Sequence, residues 1–416
     1  MKIKKVVGRE IFDSRGLPTI ECEITLEDDF VALGSAASGI SRGDYEAKEL
    51  RDGGDRLLGL SVHKAIDVIE RTIAPEILET EPNVVQSDLR LIELDGTEHK
   101  EKLGANTLLA VSYAVCRAQA HVAGVDLYEM IATLSEASTV SVPYPLFNLI
   151  NGGLHADNGL SLQEILVMPV GAKSLRQGMD FTVTLFYMLK EVMEAHGQRL
   201  LVGDEGGFCP IVQDPREALD YLMEAIVALD AEDEFHIALD VAATTLYDAK
   251  SEKYQWGDKK YTADQMIDIY AKLLKNYPIY SIEDGLAFHD KEGWQRMTAR
   301  LGEKIQIVGD DLFATDPERI AEGIELQLAN AAIIKPNQIG TVTEAIQSIG
   351  LCQQYGMGTI VSHRSGETED TFIADLSVGT SAGQFKSGGC SRGERLSKYN
   401  QLLRIEDRLV FTLLDE

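Results

Sequence analysis

Four short apolar runs between residues 236 and 335 each end in a charged residue. Three of these ends are acidic, Asp240, Glu283 and Asp310, and the fourth is basic, Lys335. Carboxylates gathered at neighbouring strand ends form the oxygen-rich kind of site that binds a divalent cation such as Mg²⁺. A single acid in this position would be explained as the cap of the next helix. Three in successive units, followed by a lysine, favour a shared metal site.

The spacing of these charged ends indicates which elements hold them. Short apolar runs separated by helical patterns are typical of buried parallel strands. The charged ends fall 43, 27 and 25 residues apart. One unit of a (β/α)8 barrel takes about 30 residues. The C-terminal ends of the strands in such a barrel meet at one mouth, where active sites lie. We therefore predict an α/β fold in which residues 143–416 form a (β/α)8-type barrel.

The N-terminal part of the chain follows a different pattern. Residues 2–35 contain three β-rich runs separated by turn residues, which is typical of an antiparallel meander. A stretch rich in Gly and Ser follows at 37–54, and three helical patterns follow it. The 37–54 stretch is either a mobile surface connection or a lid that closes over a site. Residues 1–137 are predicted to form an α+β domain.

The composition limits the partners and the compartment. The chain has 416 residues, which suits two domains, and a formal net charge of −28. This charge disfavours nucleic acid and anionic membrane surfaces, so an anionic substrate needs a local cluster of cations or a metal ion. The five cysteines are scattered singly, no run reaches the ~18 apolar residues of a membrane helix, and the N-terminus lacks the apolar region of a signal peptide. We expect a cytoplasmic protein.

A series of segments, taken in chain order, resembles motifs of the enolase (phosphopyruvate hydratase) family. These segments are Arg9-Glu-Ile-Phe-Asp-Ser-Arg-Gly16, Asn151-Gly-Gly, Gly203-Asp-Glu-Gly-Gly207, Ser281-Ile-Glu-Asp284, Gly309-Asp-Asp-Leu312, Asn337-Gln-Ile-Gly340, Ser362-His-Arg-Ser-Gly-Glu-Thr-Glu-Asp370 and Lys398-Tyr-Asn-Gln-Leu-Leu-Arg-Ile-Glu406. The resemblance covers nearly the whole chain. It implies an enolase-type modified (β/α)8 barrel with an N-terminal α+β capping domain. It also implies reversible dehydration of 2-phosphoglycerate, a small phosphorylated carboxylate, to phosphoenolpyruvate by a homodimer or higher homo-oligomer.

Two residues match the base and the acid of this reaction. The reaction removes a proton next to a carboxylate and then expels hydroxide, and enzymes of this superfamily use a Lys or His base with one or two Mg²⁺ ions. Lys335 matches the base, and Glu205 matches the acid that assists departure of hydroxide. Glu205 lies just before paired glycines within residues 200–207, which we predict to be another strand end. Without the resemblance, Lys335 would be explained as a surface lysine and Glu205 as a turn carboxylate.

The resemblance also implies two Mg²⁺ sites, one conformational and one linked to the substrate. Asp240, Glu283 and Asp310 match the ligands of the conformational site, and Ser41 matches a loop residue at the second. Where acids stand in pairs, as in Asp310-Asp311, the first of the pair is the implied ligand. The implied substrate-binding residues are His155, Gln163, Glu164, His363, Arg364, Ser365 and Lys386.

The chemistry of these side chains agrees with the implied roles. Arg364 offers a planar fork for phosphate oxygens, and Lys386 adds a positive charge near the substrate carboxylate. His155 and His363 have the alternatives of hydrogen bonding in the core or binding zinc. Oxygen-rich surroundings favour Mg²⁺ over zinc.

The lid loop departs from the family pattern. Ile40 and Arg42 stand where the family usually has Ala and Thr, and Leu17 stands where it usually has Asn. These departures leave open an enolase-like enzyme of phosphonate biosynthesis, such as carboxyphosphonoenolpyruvate synthase, whose substrate carries an extra acidic group that Arg42 would suit. A third alternative is a non-catalytic enolase-fold binding protein. That alternative predicts loss of Lys335, Glu205 or a metal carboxylate, and none of these is lost.

Overall fold

The structure, a computed structural model, describes residues 1–39, 43–212 and 214–415. The lid residues Ile40, Ser41 and Arg42 lie outside the described residues. The predictions made for these three residues therefore rest on the sequence.

The N-terminal sheet is an antiparallel meander, as predicted. Its strands, in spatial order, are β1 (Ile3–Phe12), β2 (Pro18–Leu26) and β3 (Val31–Ser35). The residues Ile20, Cys22 and Ile24 of β2 are all fully buried. They lie on one face because successive side chains of a strand point to opposite sides. This buried face is covered by helices.

Five α-helices follow the meander in the described part of the N-terminal domain. They are α1 (His63–Val68), α2 (Ala74–Ile77), α3 (Val84–Asp95), α4 (Ala105–Ala123) and α5 (Leu127–Leu134). A π-helical turn at 69–73 interrupts the first predicted helical pattern, between α1 and α2. Helix α4 packs closely on β3: a Cβ added to Gly34 would lie 2.2 Å from the carbonyl oxygen of Ala110. Among the described residues, no single helix is long and apolar enough to cross a membrane, and α4 with α5 meets that criterion only as a pair bent by 101°.

Eight strands of the described chain close into a barrel. The strands of this part of the chain are β4 (Tyr144–Asn151), β5 (Glu164–Met168), β6 (His236–Asp240), β7 (Tyr247–Asp248), β8 (Lys253–Trp256), β9 (Lys259–Tyr261), β10 (Ile279–Glu283), β11 (Gln306–Gly309), β12 (Ala331–Ile334), β13 (Gly358–Ser362) and β14 (Gln384–Lys386). Strands β7, β8 and β9 form a separate small sheet, and the barrel order is β10-β11-β12-β13-β14-β4-β5-β6. The predicted barrel is confirmed.

One barrel strand runs against the others. Strand β5 is antiparallel to both β4 and β6, whereas the remaining neighbours are parallel. The first residue of β5, Glu164, therefore lies opposite Asp240, the last residue of β6. Reversal of this strand brings Glu164 to the mouth that the C-terminal ends of the parallel strands form.

Helices surround the barrel and connect its strands. They are α6 (Leu175–Ala195), α7 (Pro215–Ala228), α8 (Ala263–Asn276), α9 (Lys291–Leu301), α10 (Pro317–Glu325), α11 (Pro336–Ile339), α12 (Val342–Gln354), α13 (Phe372–Gly379) and α14 (Gly393–Asp415). Residues 135–143, all of them described, contain neither helix nor strand. The domain boundary that we place within this stretch stays a prediction.

The strand end predicted at 200–207 is wrong. This segment is a loop whose ladder pairing is limited to an isolated bridge between Val202 and Phe208. Leu201 and Val202 are 58% and 44% exposed, so the apolar run does not enter the barrel wall. The loop instead packs its glycines against the end of β4, where a Cβ added to Gly203 would lie 2.8 Å from Asn151 Oδ1. Glu205 reaches the mouth on this loop and not on a strand.

Helix α3 meets helix α12 where the N-terminal elements contact the barrel. Asp88 of α3 accepts hydrogen bonds from the backbone N–H of Thr343 at 3.0 Å and from its hydroxyl at 2.7 Å. The Asp88 side chain is fully buried, and burial raises its pKa to about 6. This contact therefore ties the stability of the interface to pH, because burial disfavours the ionised carboxylate.

We expect Asp88→Asn to remove part of the pH dependence of stability. The folded pKa of about 6 lies above the ordinary value of 3.8, so the folded state binds the proton more tightly than the unfolded state does. The corresponding stability is present below pH 3.8 and is lost as the pH rises towards 6. Between pH 4 and pH 7 the free energy of unfolding should fall by on the order of 2–3 kcal/mol more in the wild type than in the variant.

Urea unfolding across this pH range measures the difference. Glu93→Gln on the same helix is the matched control, because the Glu93 side chain is 71% exposed. Parallel pH profiles for the wild type and Asp88→Asn would contradict the prediction.

Candidate active site

The predicted functional residues converge on one cavity at the mouth of the barrel. Its walls come from the N-terminal loop and from the strand ends. The lining residues are Gly39, Glu46, His155, Gln163, Glu164, Glu205, Asp240, Ala242, Thr245, Asp284, Asp310, Asp311, Lys335, Ser362, His363, Arg364, Ser365 and Lys386. Glu283 lies behind this wall, bonded to Lys386. Ser41, predicted for the second metal site, lies outside the described residues.

Lys386 stands at the centre of a buried group of carboxylates. It ends β14, and its Nζ lies 2.9 Å from Glu164 Oε2, 2.8 Å from Glu283 Oε2 and 3.4 Å from Asp240 Oδ2. Burial lowers the pKa of Lys386, but the surrounding carboxylates outweigh burial, so the pKa is raised well above its usual value. The side chain is therefore an ammonium ion that neutralises acids from three different strands.

Lys335 is paired with a second acid of the mouth. It follows β12, and its Nζ forms an ion pair with Asp310 Oδ2. Burial lowers the pKa of Lys335, but the Asp310 carboxylate outweighs burial and raises the pKa. The amide of Gln338 donates to the other Asp310 oxygen at 3.1 Å. Both oxygens of Asp310 are therefore engaged by neighbouring side chains.

The acids of the mouth suit a hard divalent cation. Asp240, Glu283 and Asp310 offer carboxylate oxygens, which are the donors that Mg²⁺ prefers. Asp284 is committed elsewhere, because its two oxygens accept the backbone N–H groups of Asp310 at 2.9 Å and Asp311 at 3.0 Å. In the described part of the chain, two groups bring three possible ligand atoms within 4.8 Å of one another: Asp284, Asp310 and Asp311, and His155, Glu164 and Glu205. Of the three predicted ligands, only Asp310 belongs to one of these groups. The carboxylate oxygens gathered at the mouth fit a hard metal ion by their chemistry.

Glu205 faces two imidazoles and another carboxylate. Its Oε2 lies 3.6 Å from His155 Nδ1 and 3.5 Å from His363 Nε2, and it accepts a hydrogen bond from Asn148 at 3.2 Å. Burial, and then the charge of Glu205, raise the pKa of Glu164 to about 7. A buried carboxyl group with a raised pKa beside a second carboxyl group is a common arrangement for acid–base chemistry.

Arg364 is held by a residue of the N-terminal loop. Its Nη1 lies 2.9 Å from Glu46 Oε2 and its Nη2 lies 3.1 Å from Glu46 Oε1, and Nη1 also donates to Asn337 Oδ1 at 3.0 Å. Arg364, Glu46 and Asn337 are all buried. The N-terminal part of the chain thus fixes the orientation of the guanidinium that we predict to bind phosphate.

Sequence reasoning missed two residues of this site, Glu46 and Gln338. Glu46 stands in the segment that we predicted as a lid, but nothing in the segment indicated that its carboxylate would reach Arg364. Gln338 belongs to the Asn337-Gln-Ile-Gly340 motif, so the motif was a usable signal. Its side chain bonds Asp310 and Thr315, while its backbone oxygen accepts the N–H of Ala47 at 2.8 Å. It connects the segment predicted as a lid to Asp310, an acid that we predict to bind metal.

Comparisons with known proteins agree with this geometry. The family model described as "Enolase, N-terminal domain" matches residues 3–131, and the model described as "Enolase, C-terminal TIM barrel domain" matches residues 139–412. A relative from Natranaerobius thermophilus named "Enolase" is 45% identical over 410 residues, which are 98% of this chain and 95% of the relative. These matches span both the meander and the barrel. The chain therefore belongs to the enolase family of hydro-lyases.

Proposed function

We propose that this chain catalyses the reversible dehydration of 2-phosphoglycerate to phosphoenolpyruvate. The observation that carries the proposal is the composition of the mouth cavity. Lys335 and Glu205 line it together with two cations suited to an anionic substrate, Arg364 and Lys386. Both cations are already engaged by carboxylates, Arg364 by Glu46 and Lys386 by acids of three strands. In a chain of net charge −28, the further positive charge that an anionic substrate needs would come from metal ions bound at the acids of the mouth.

Lys335 is the proposed base that removes the α-proton. Only the neutral amine accepts a proton, whereas the Asp310 carboxylate favours the ammonium form. The ion pair between Lys335 and Asp310 must therefore separate before the proton is taken. In the reverse direction the same lysine returns the proton to carbon.

Glu205 is the proposed acid. Its carboxyl group gives a proton to the departing hydroxide, which leaves as water, and the carboxylate that results lies near the imidazoles of His155 and His363. Glu164, with a pKa of about 7 beside Glu205, keeps a proton within this pair of carboxyl groups near neutral pH. His155, Gln163, Ser365 and Lys386 are proposed to bind the substrate around these groups.

Two Mg²⁺ sites are part of the proposal. Asp240, Glu283 and Asp310 would hold one ion, and Ser41 would contribute to the second. When bound, Mg²⁺ supplies positive charge that stabilises the negative charge developing on the substrate. We also propose that the protein is cytoplasmic. We further propose that it forms a homodimer or higher homo-oligomer, and sedimentation velocity would measure this oligomeric state.

The first prediction concerns the metal. Removal of divalent cations with a chelator should abolish dehydration of 2-phosphoglycerate, and Mg²⁺ should restore it, because the acids of the mouth provide oxygen ligands that the reaction uses. The absorbance of phosphoenolpyruvate follows the reaction. Full turnover after exhaustive chelation would contradict the metal assignment.

The second prediction separates the base from the acid. Lys335→Ala and Glu205→Gln should each reduce turnover by ~10²–10⁴-fold, which is the usual contribution of general acid–base catalysis. Lys335→Ala should also lose exchange of the substrate α-proton with solvent, whereas Glu205→Gln should retain some exchange. Lys275→Ala, at an exposed lysine of α8, is the control. If Lys335→Ala exchanges the proton at the wild-type rate, the base is another residue.

The third prediction decides between the proposed reaction and the phosphonate enzyme. Ile40→Ala combined with Arg42→Thr restores the common lid sequence. If 2-phosphoglycerate is the natural substrate, kcat/KM of the double variant should stay close to that of the wild type. A rise of tenfold or more would show that the native lid suits a substrate with an additional acidic group, and it would count against our proposal.

A further inference from the structure

We propose that Arg395 is a positioning residue that joins the loop of the acid to the substrate-binding loop and holds His363 with its proton on Nε2. The inference rests on the proposed function, because the two loops carry Glu205 and the residues 363–365. Arg395 lies on α14, outside the barrel mouth, and none of the comparisons or motifs assigns it a role.

The contacts of Arg395 are the first argument. Its side chain is fully buried. Nη1 donates to His363 Nδ1 at 2.6 Å and to the carbonyl oxygen of Arg364 at 2.7 Å. Nη2 donates to the carbonyl oxygens of Ser365 at 2.6 Å and Asp204 at 3.1 Å. One guanidinium therefore bonds two loops that are far apart in sequence and that together carry the acid and three predicted substrate-binding residues.

The space around Arg395 is shaped to admit its side chain. A Cβ added to Gly388 would lie 2.8 Å from Arg395 Cδ and 2.5 Å from the carbonyl oxygen of Glu205. The φ of Gly388 is +66°, which L side chains rarely adopt. The aliphatic part of the Arg395 side chain therefore packs against Gly388, next to the backbone of Glu205, where a larger residue would clash.

The chemistry of Arg395 decides the state of the imidazole. A guanidinium donates hydrogen bonds and accepts none, so His363 Nδ1 must present a lone pair to it. A neutral imidazole that accepts at Nδ1 carries its proton on Nε2. The backbone N–H of Gly388 donates to Nε2 at 3.1 Å, so both ring nitrogens face a donor and the doubly protonated ring is disfavoured. The bond from Gly388 by itself favours the opposite tautomer. The bond from Arg395 is shorter, at 2.6 Å, and comes from a charged donor, so we expect it to decide the tautomer. Glu205 Oε2, at 3.5 Å from Nε2, is the carboxylate on that side.

The electrostatics of His363 point the same way. Burial, and then the charge of Arg395, lower the pKa of His363 well below its usual value. Lys386, Lys335 and His155 lower it further. The ring is therefore neutral near pH 7, and its effect on Glu205 is that of a fixed dipole. The tautomer sets the direction of this dipole, which is why the bond from Arg395 matters for the acid.

A purely structural role for Arg395 is the competing explanation, and the same helix provides its control. Lys398 is also fully buried on α14, and its Nζ lies 2.9 Å from Glu367 Oε2 and bonds the carbonyl oxygen of Thr368. It attaches the helix to the barrel without contacting a predicted site residue. Glu367 Oε1 also accepts the backbone N–H of Arg364 at 3.1 Å. Lys398→Met therefore reports what loosening the helix and this loop does while the bond to His363 and the contact with the acid's loop stay intact.

The test compares Arg395→Lys with Lys398→Met. Arg395→Lys keeps the charge but has no planar fork to reach both loops. We expect kcat for 2-phosphoglycerate to fall by about 10- to 100-fold, the usual effect of removing a group that orients a catalytic side chain, with a smaller change in KM. Lys398→Met should lower the melting temperature as much or more while retaining most of kcat.

The imidazole nitrogen signals of 15N-histidine-labelled protein give a readout that needs no turnover. In the wild type, His363 should show a bare Nδ1 and a protonated Nε2, and Arg395→Lys should shift it towards a mixture of tautomers. A wild-type His363 protonated on Nδ1 would overturn the proposal even if the variants failed to fold. Equal kcat and an unchanged tautomer in Arg395→Lys would overturn it as well. If the wild type does not dehydrate 2-phosphoglycerate, the proposed function fails, while the tautomer result still decides the role of Arg395.

Discussion

The mouth of this barrel depends on the balance of charge within a small buried volume. Acids from β5, β6 and β10 meet around Lys386, and Asp310 meets Lys335. Carboxylates this close together and out of water repel one another strongly, so they require positive charge among them. The chain provides it from two strands on the opposite side of the group, β12 and β14. The acids can therefore occupy these strand ends only because the two lysines lie among them.

The same requirement explains why the N-terminal part of the chain is fixed to the barrel. Arg364 is a buried cation whose carboxylate partner, Glu46, comes from the N-terminal loop. A second pair, the half-buried Arg117 and Asp370, joins α4 to the segment after β13 at 2.6 Å. Breaking one partner of a buried pair is costly, because the other charge is left without compensation. The two pairs therefore hold the N-terminal part of the chain in one orientation relative to the mouth of the barrel.

The sequence was sufficient to predict the residues that end regular strands. Asp240, Glu283 and Lys335 could be placed because a period of about 30 residues identifies barrel strands and their common mouth. The position of Glu205 was reached only through the family motif, since the apolar run before it suggested a strand where the structure has a loop. The reversed direction of β5 could not be predicted from the hydrophobic pattern, because a buried strand is apolar whichever way it runs. Glu46 and Arg395 could not be found by spacing. They stand on a loop and a helix outside the repeat of strand ends, and their partners, Arg364 and His363, lie more than 30 residues away along the chain.

The order of the barrel strands has a consequence for synthesis of the protein. Closure of the barrel requires β14 to pair with β4, and α14 follows it with the guanidinium that joins the two loops. Until this part has left the ribosome, β13 and β4 have unpaired edges, and such edges tend to associate with other chains. A nascent chain can therefore complete the meander and its helices early, while its catalytic centre forms only after residues 384–398 have been added. The interval between these two events is the period when the chain has most need of a chaperone.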